Sequence, residues 1–295
     1  MKQNQEYVYY VYGRRPHSRC VSPPPPISPP PPFPPPDIPS HTFTSCGVEG
    51  PYGPTYSQCV NAYSGTSWAS DAAQFSVSNG FQYWTVPGTG RYTIKAVGAV
   101  PPKQTYATSY QLVGGKAASI TATFSLTSGQ KLKILVGQAP AQAQFHGGGG
   151  GTFVAIDGAS EPLIVAGGGG SYRTGFEAKS PPGLSHMDAN HLSTSGKSCV
   201  NGGVTYSGCV STNVGGTNGG GAGGSSGGGG GAGFTGDAVN GWSTPTQPKS
   251  FLNGGTGGIF SSSGYQYGGF GGGGHGGWGG SGGGGGYSGG SGGNN

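Results

Sequence analysis

Charge is scarce in this chain: Asp, Glu, Lys and Arg together make up 8% of its 295 residues. The net charge of +5 is a small excess of Lys and Arg, and Arg14, Arg15 and Arg19 fall in one short run. There is no dense basic stripe and no Arg-Gly-Gly repeat, so nucleic acid is not an expected partner, and the arginine run reads as a solvated arm. No stretch approaches the roughly 18 apolar residues of a membrane span, so no membrane insertion is expected. The N-terminus lacks the apolar centre of a signal peptide, and no Asn-x-Ser/Thr acceptor occurs. Catalytic chemistry is thin as well. Carboxylates such as Asp71, Asp157, Glu161 and Asp237 are scattered, with no pair placed for acid and base work. His186 and His191, with Asp188 between them, lack a third ligand and read as a polar loop. Matches to GxGxxG arise by chance in polyglycine, and none opens an amphipathic helix. No nucleophile has a credible base, so neither an enzyme nor a cofactor or metal site is expected.

Glycine is abundant instead. The chain holds 68 glycines, of which only 13 precede Gly147. Glycine loses more conformational freedom on folding than any other residue and brings no side chain to bury. The second half must therefore stay a flexible tether or find an order built from backbone contacts. The five cysteines form two close pairs, Cys46 with Cys59 and Cys199 with Cys209, with Cys20 left over. Neither pair has zinc spacing, so both read as loop-closing disulfides of an oxidising compartment, and Cys20 as a free thiol or a bond to another chain.

Along the chain, Tyr7, Val8, Tyr9, Tyr10, Val11 and Tyr12 form a β-branched and aromatic run suited to a strand. Alone it is too short to be stable and must pair with a sheet edge, either of its own domain or of a neighbouring copy. The sequence SPPPPISPPPPFPPP follows at Ser22–Pro36. Proline fixes φ and removes a donor, so this arm is expected to be polyproline II, spanning about 43 Å over Pro23–Pro36. Its two units, Ser22, Pro23, Pro24, Pro25, Pro26 and Ser28, Pro29, Pro30, Pro31, Pro32, resemble the extensin repeats of plant and green-algal walls. That resemblance implies hydroxylated prolines carrying covalent glycans.

Residues 41–73, with Cys46 and Cys59 bracketing GVEGPYGPTYSQ, read as loop. Strands are expected at Gln74–Val77, Phe81–Val86, Arg91–Val97, Ala117–Leu126, Lys131–Val136, Thr152–Ile156 and Pro162–Ala166. In Ser119–Leu126 the row Ile120, Ala122, Phe124, Leu126 alternates with Thr121, Thr123, Ser125, as in a half-buried strand. Short strands between Gly, Pro and Asn turns imply an all-β fold, an antiparallel β-sandwich. Four regions follow: 1–40 strand and arm, 41–73 disulfide-bracketed loop, 74–170 sandwich core, 171–295 glycine-rich module.

Three strings sharpen this reading: WTVPGTGRYTIKAVGA at Trp84–Ala99, KLKILVGQ at Lys131–Gln138 and GGGGGTFVAIDGASEPLIVAGGGG at Gly147–Gly170. With SFLNGGTGG at Ser250–Gly258 and the terminal glycine runs, they resemble the glycine-rich extracellular domain of the anaplastic lymphoma kinase and leukocyte tyrosine kinase receptors. Two departures are a loop at Val100–Val113 without the usual glycines and an arm before Ser40 that has no counterpart there. The resemblance implies a jelly-roll or TNF-like sandwich carrying a bundle of polyglycine II helices. Phe234, Trp242, Phe251, Phe260, Phe270, Trp278 and Tyr287 would then sit at helix ends, either sealing the bundle or, for Trp278 and Tyr287, facing outward to bind a sugar or a partner. Two functions follow as expectations: a self-assembling subunit of an extracellular fibre, sheath or coat, joined as a homopolymer through its N-terminal strand, or an extracellular adhesin.

Overall fold

The computed structural model describes residues 40–102, 104–106, 110–112, 114–141, 147–171, 189, 195, 200–201, 204–205, 214–224, 228–239, 246–260, 266–277 and 280–293. They belong to one unit, Ile38–Asn295. The expected arm and N-terminal strand, Cys20, Cys199, Cys209 and Trp278 lie outside the described residues.

Nearly every element is a short strand. In chain order they are β1 Phe75–Ser78, β2 Phe81–Thr85, β3 Gly90–Val97, β4 Gln104–Tyr106, β5 Tyr110–Leu112, β6 Ser119–Leu126 and β7 Lys131–Leu135. Then come β8 Thr152–Ile156, β9 Pro162–Ala166 and the two-residue pairs β10 Val200–Asn201 with β11 Val204–Thr205 and β12 Ile259–Phe260 with β13 Gln266–Tyr267. All strand pairs are antiparallel. β1-β2-β7-β8-β9 form a five-stranded sheet, and β3 and β6 form a separate eight-residue ribbon. Asn79 and Gly80 join β1 to β2 with φ of 50° and 81°, the left-handed pair that a two-residue hairpin needs to follow strand twist.

One expectation is corrected. Residues 41–73 contain the helix α1 Tyr56–Ala62, where loop was expected. Its cause is a capping box: the Thr55 hydroxyl accepts from the Gln58 N–H while the Gln58 side chain accepts from the Thr55 N–H. In the departing loop Val100–Val113, β4 and β5 make a small hairpin.

The strands FQYWT, KLKIL and TFVAI lack simple alternation because both faces of the sheet are covered. On one face Trp84, Leu132, Ile134, Val154 and Ile164 meet Tyr92, Ile94, Ile120, Ala122 and Phe124 of the ribbon, together with Phe43, Tyr63 and Trp68. On the other, Phe81, Leu135, Phe153 and Ala155 meet Phe234, Phe251 and Phe270 from the glycine-rich half.

The described part of that half is ordered by its backbone. Gly148 donates to Gly274 (2.8 Å), Gly149 to Gly169 (2.8 Å), Gly150 to Gln138 (3.0 Å), and Gly151 returns to Gly271 (2.9 Å). Successive amides thus address three different neighbours before coming back to the first. The same spacing recurs: Gly168 and Ser171 donate to Gly285 and Gly282, Gly229 and Ala232 to His275 and Gly272, and Gly283 and Gly286 to Gly229 and Ala232. A β-strand, whose groups point to two sides, cannot do this. Side chains are excluded by contact. A Cβ on Gly149 would land on the Ala99 carbonyl oxygen, one on Gly168 on that of Gly149, and one on Gly284 on that of Gly168. Each net hydrogen bond contributes only about 0.5–1.5 kcal/mol, whereas an unpaired buried amide costs about 1–3 kcal/mol, so completeness matters more than number.

Gly284→Ala therefore should destabilise the protein by roughly 1–3 kcal/mol, since backbone rather than a movable side chain must yield. Gly88, with nothing within 4 Å of its added Cβ, is the control. Gly88→Ala should be neutral or stabilising by about 0.4–1 kcal/mol through the unfolded chain. Chemical denaturation of both variants checks the contrast.

Candidate functional site

The seam between the sheet and the glycine segments is a cluster of buried aromatic side chains. β2, β7 and β8 alternate, so Phe81, Leu135 and Phe153 project from the sheet face opposite Trp84, Leu132 and Val154. Phe251 is the hub. Its ring lies 5.0 Å from Phe234, nearly parallel, 5.2 Å from Phe153, and 5.2 Å from Phe81 edge-on. Lys133 crosses this seam with Nζ 4.1 Å over the Phe81 ring and 4.9 Å over Phe251. Burial holds its ammonium below the ordinary lysine range, while Asp157 pulls in the opposite direction. The arrangement suits a cation held by ring faces; nothing in it suggests proton transfer.

Tyr287, expected as one of two aromatics left uncovered, is half-buried and stacks on Phe234 at 6.3 Å. Its carbonyl accepts the Phe234 N–H at 2.8 Å. Phe260 and Phe270 are buried too. A second tie holds the module together. Asp237 receives Lys249 Nζ at 2.9 Å, the Ser250 N–H at 2.8 Å and Asn253 Nδ2 at 3.0 Å. Burial opposes its ionisation, but these hydrogen bonds and the Lys249 charge together lower its pKa. Neither the Lys133 nor the Asp237 contact has a spacing signature, so the sequence alone did not single them out.

Cys46 and Cys59 are bonded, their Cα atoms 4.8 Å apart. Beside them the fully buried Gln82 accepts from the Tyr63 hydroxyl at 2.6 Å and donates to the Thr44 carbonyl at 2.7 Å. This polar ring fastens the disulfide-bracketed region to β2.

His275 is 4% exposed among the glycine segments and stacks on Phe260 at 5.5 Å. Nδ1 lies 2.9 Å from the Gly276 carbonyl, so Nδ1 carries the proton and donates; Nε2 has no hydrogen-bond partner among the described residues. Burial lowers its pKa below the ordinary histidine value, with the Gly276 hydrogen bond acting in the opposite direction.

Among the described residues no three His, Cys, Asp or Glu gather to hold a metal, and no helix is long and apolar enough to cross a membrane.

No protein-family model matches the chain. A stretch of 96 residues is 38% identical to the leukocyte tyrosine kinase receptor of Mus musculus. The match covers 32% of this chain and 10% of the receptor, so the chain spans about a tenth of that relative's length.

Two outcomes follow. Phe251→Ala should cost about 3–5 kcal/mol, since the hub ring cannot be replaced by collapse of a backbone lattice. Equilibrium denaturation measures it. His275 binds a proton less readily folded than unfolded, so stability is fully present above pH 6.5 and falls as pH drops below it. His41, also lowered by burial, acts in the same direction. Melting temperatures from pH 7.5 to 5 should fall less steeply in His275→Phe than in the unaltered chain.

Proposed function

We propose that the chain is a structural subunit of an extracellular self-assembling fibre, sheath or surface coat. One observation carries this reading: the threefold donor register of the glycine segments, closed against a sheet by the Phe251 seam. Such a register fits polyglycine II helices, which have three residues per turn and no internal hydrogen bonds. It makes the glycine-rich half rigid architecture instead of a tether. The two covered faces of the five-stranded sheet support an antiparallel β-sandwich of the jelly-roll or TNF-like kind beneath that bundle. The Cys46–Cys59 bond and the partial likeness to a receptor support an extracellular location. On this reading the polyproline II arm at Ser22–Pro36 carries glycans, Cys20 is available to a second chain, Cys199 pairs with Cys209, and the run Tyr7–Tyr12 joins copies.

A second reading is favoured by the partial likeness to a receptor. The same rigid bundle would then present a binding face to a glycan or protein, with Trp278 as its aromatic anchor.

Electron microscopy of purified chain separates the two. Regular fibres that vanish when Met1–Cys20 is deleted are expected. Monodisperse particles from both forms overturn the structural reading, and glycan or receptor binding that survives the deletion establishes the second. Hydrogen exchange tests the bundle: amides at 228–233 and 282–286 should be strongly protected, and free-peptide rates there would sink the polyglycine II assignment.

A further inference from the structure

The five-stranded sheet and the β3–β6 ribbon leave four edges whose treatment differs. Natural sheets protect their edges with charge, proline, bulges or cover, because an open edge templates pairing with another chain. β1 is four residues long, and its Phe75 N–H is already taken by the Asp71 carbonyl at 2.9 Å. β9 opens with Pro162, which has no N–H, and its pairing with β8 shifts register at Val154/Ala155. β3 carries Arg91 and Lys95. Among the described residues β6 has none of these devices. Ser119–Leu126 reads SITATFSL, eight residues in continuous register with β3, with no charge, proline, glycine or bulge.

The direction of its free groups follows from the ladder. Gly98 N–H donates to Ala118 O at 3.0 Å, which makes this facing pair a hydrogen-bonded one. Two residues on, Ala96 with Ile120, Ile94 with Ala122 and Tyr92 with Phe124 then exchange the ladder bonds. Thr121, Thr123 and Ser125 are the intervening positions, whose N–H and C=O groups turn away from β3. The Thr93 and Thr123 hydroxyls meet at 2.9 Å, as the closer side chains of a non-hydrogen-bonded pair should. Among the described residues no backbone hydrogen bond reaches these outward groups. The inner row Ile120, Ala122 and Phe124 is only half-buried and has apolar surface still to cover.

We propose that the outer edge of β6 is the acceptor for the Glu6–Tyr12 segment of a second copy of this chain, added as a further strand. This rests on the fibre reading above and names the surface it uses. The donor EYVYYVY is seven residues without proline or glycine, close to the length of the edge. Its alternation would put Tyr7, Tyr9 and Val11 on one face of the extended sheet and Val8, Tyr10 and Tyr12 on the other. One of these rows lies beside the half-buried Ile120, Ala122 and Phe124, and backbone bonds to Thr121, Thr123 and Ser125 supply affinity. A second copy lies within reach of the donor. The spacer expected at Pro23–Pro36 would span about 43 Å, against a radius of gyration of about 18 Å for a folded unit of this size. Donor and acceptor are different surfaces, so the contact is head-to-tail and propagates.

The test uses the full-length chain and fibre yield by electron microscopy. Thr123→Pro removes an outward donor without touching a ladder bond to β3 and should reduce fibre yield at least tenfold with an unchanged melting temperature. Thr93→Pro, the corresponding change on the β3 edge, should leave the yield intact. If Thr123→Pro lowers the melting temperature, Thr121→Lys/Ser125→Lys decides, since it charges the exposed face of the edge and spares the backbone. Undiminished fibres from folded Thr123→Pro or from the double-lysine variant overturn the edge assignment and leave the fibre reading standing. No fibres from the unaltered chain overturn both.

Discussion

The described glycine segments depend on one requirement: a buried peptide group must find a partner. With no side chains to drive collapse, segments around Gly149, Gly168, Gly229 and Gly284 hold together by exchanging backbone bonds in three directions. Removing side chains is what permits the approach, because carbonyl oxygens occupy the places where Cβ atoms would stand. The same property makes the lattice weak by itself. Glycine has the most entropy to lose, and net hydrogen-bond energies are small. The lattice needs an apolar floor, and the five-stranded sheet provides it through Phe81, Leu135 and Phe153.

The aromatic seam joins two kinds of order. Phe234, Phe251 and Phe270 each arise within glycine-rich sequence but spend their surface on the sheet. Their fixed positions set the offset of the glycine segments that bear them. The Asp237 cluster does the same over a shorter range, tying the loop after Phe234 to Lys249, Ser250 and Asn253. On the opposite side of the sheet the disulfide, Tyr63 and Gln82 fasten the first described residues to β2.

Much of the sheet was legible in the sequence, since β-branched and aromatic runs between Gly, Pro and Asn turns give strands within a residue or two of Phe75–Ser78, Phe81–Thr85 and Pro162–Ala166. Ser119–Leu126 was readable from its alternation because one face of the ribbon is exposed. The helix Tyr56–Ala62 was missed: seven residues show no amphipathic period, and its only mark was the Thr55–Gln58 capping box. Partners within the glycine lattice were not readable at all, because a run of identical residues carries no information about which neighbour each amide meets. The setting of Lys133 over two rings and of His275 on Phe260 was hidden for a related reason, as both depend on residues far apart in the chain.

The threefold donor register has a further consequence for inheritance. Repetitive glycine codons slip during replication and gain or lose units. A change of three residues returns every following amide to the same neighbour, while a change of one or two points its donors at the wrong segment. Length variants that survive in such a lattice should therefore come in triplets of residues, matching the spacing at which its donors recur.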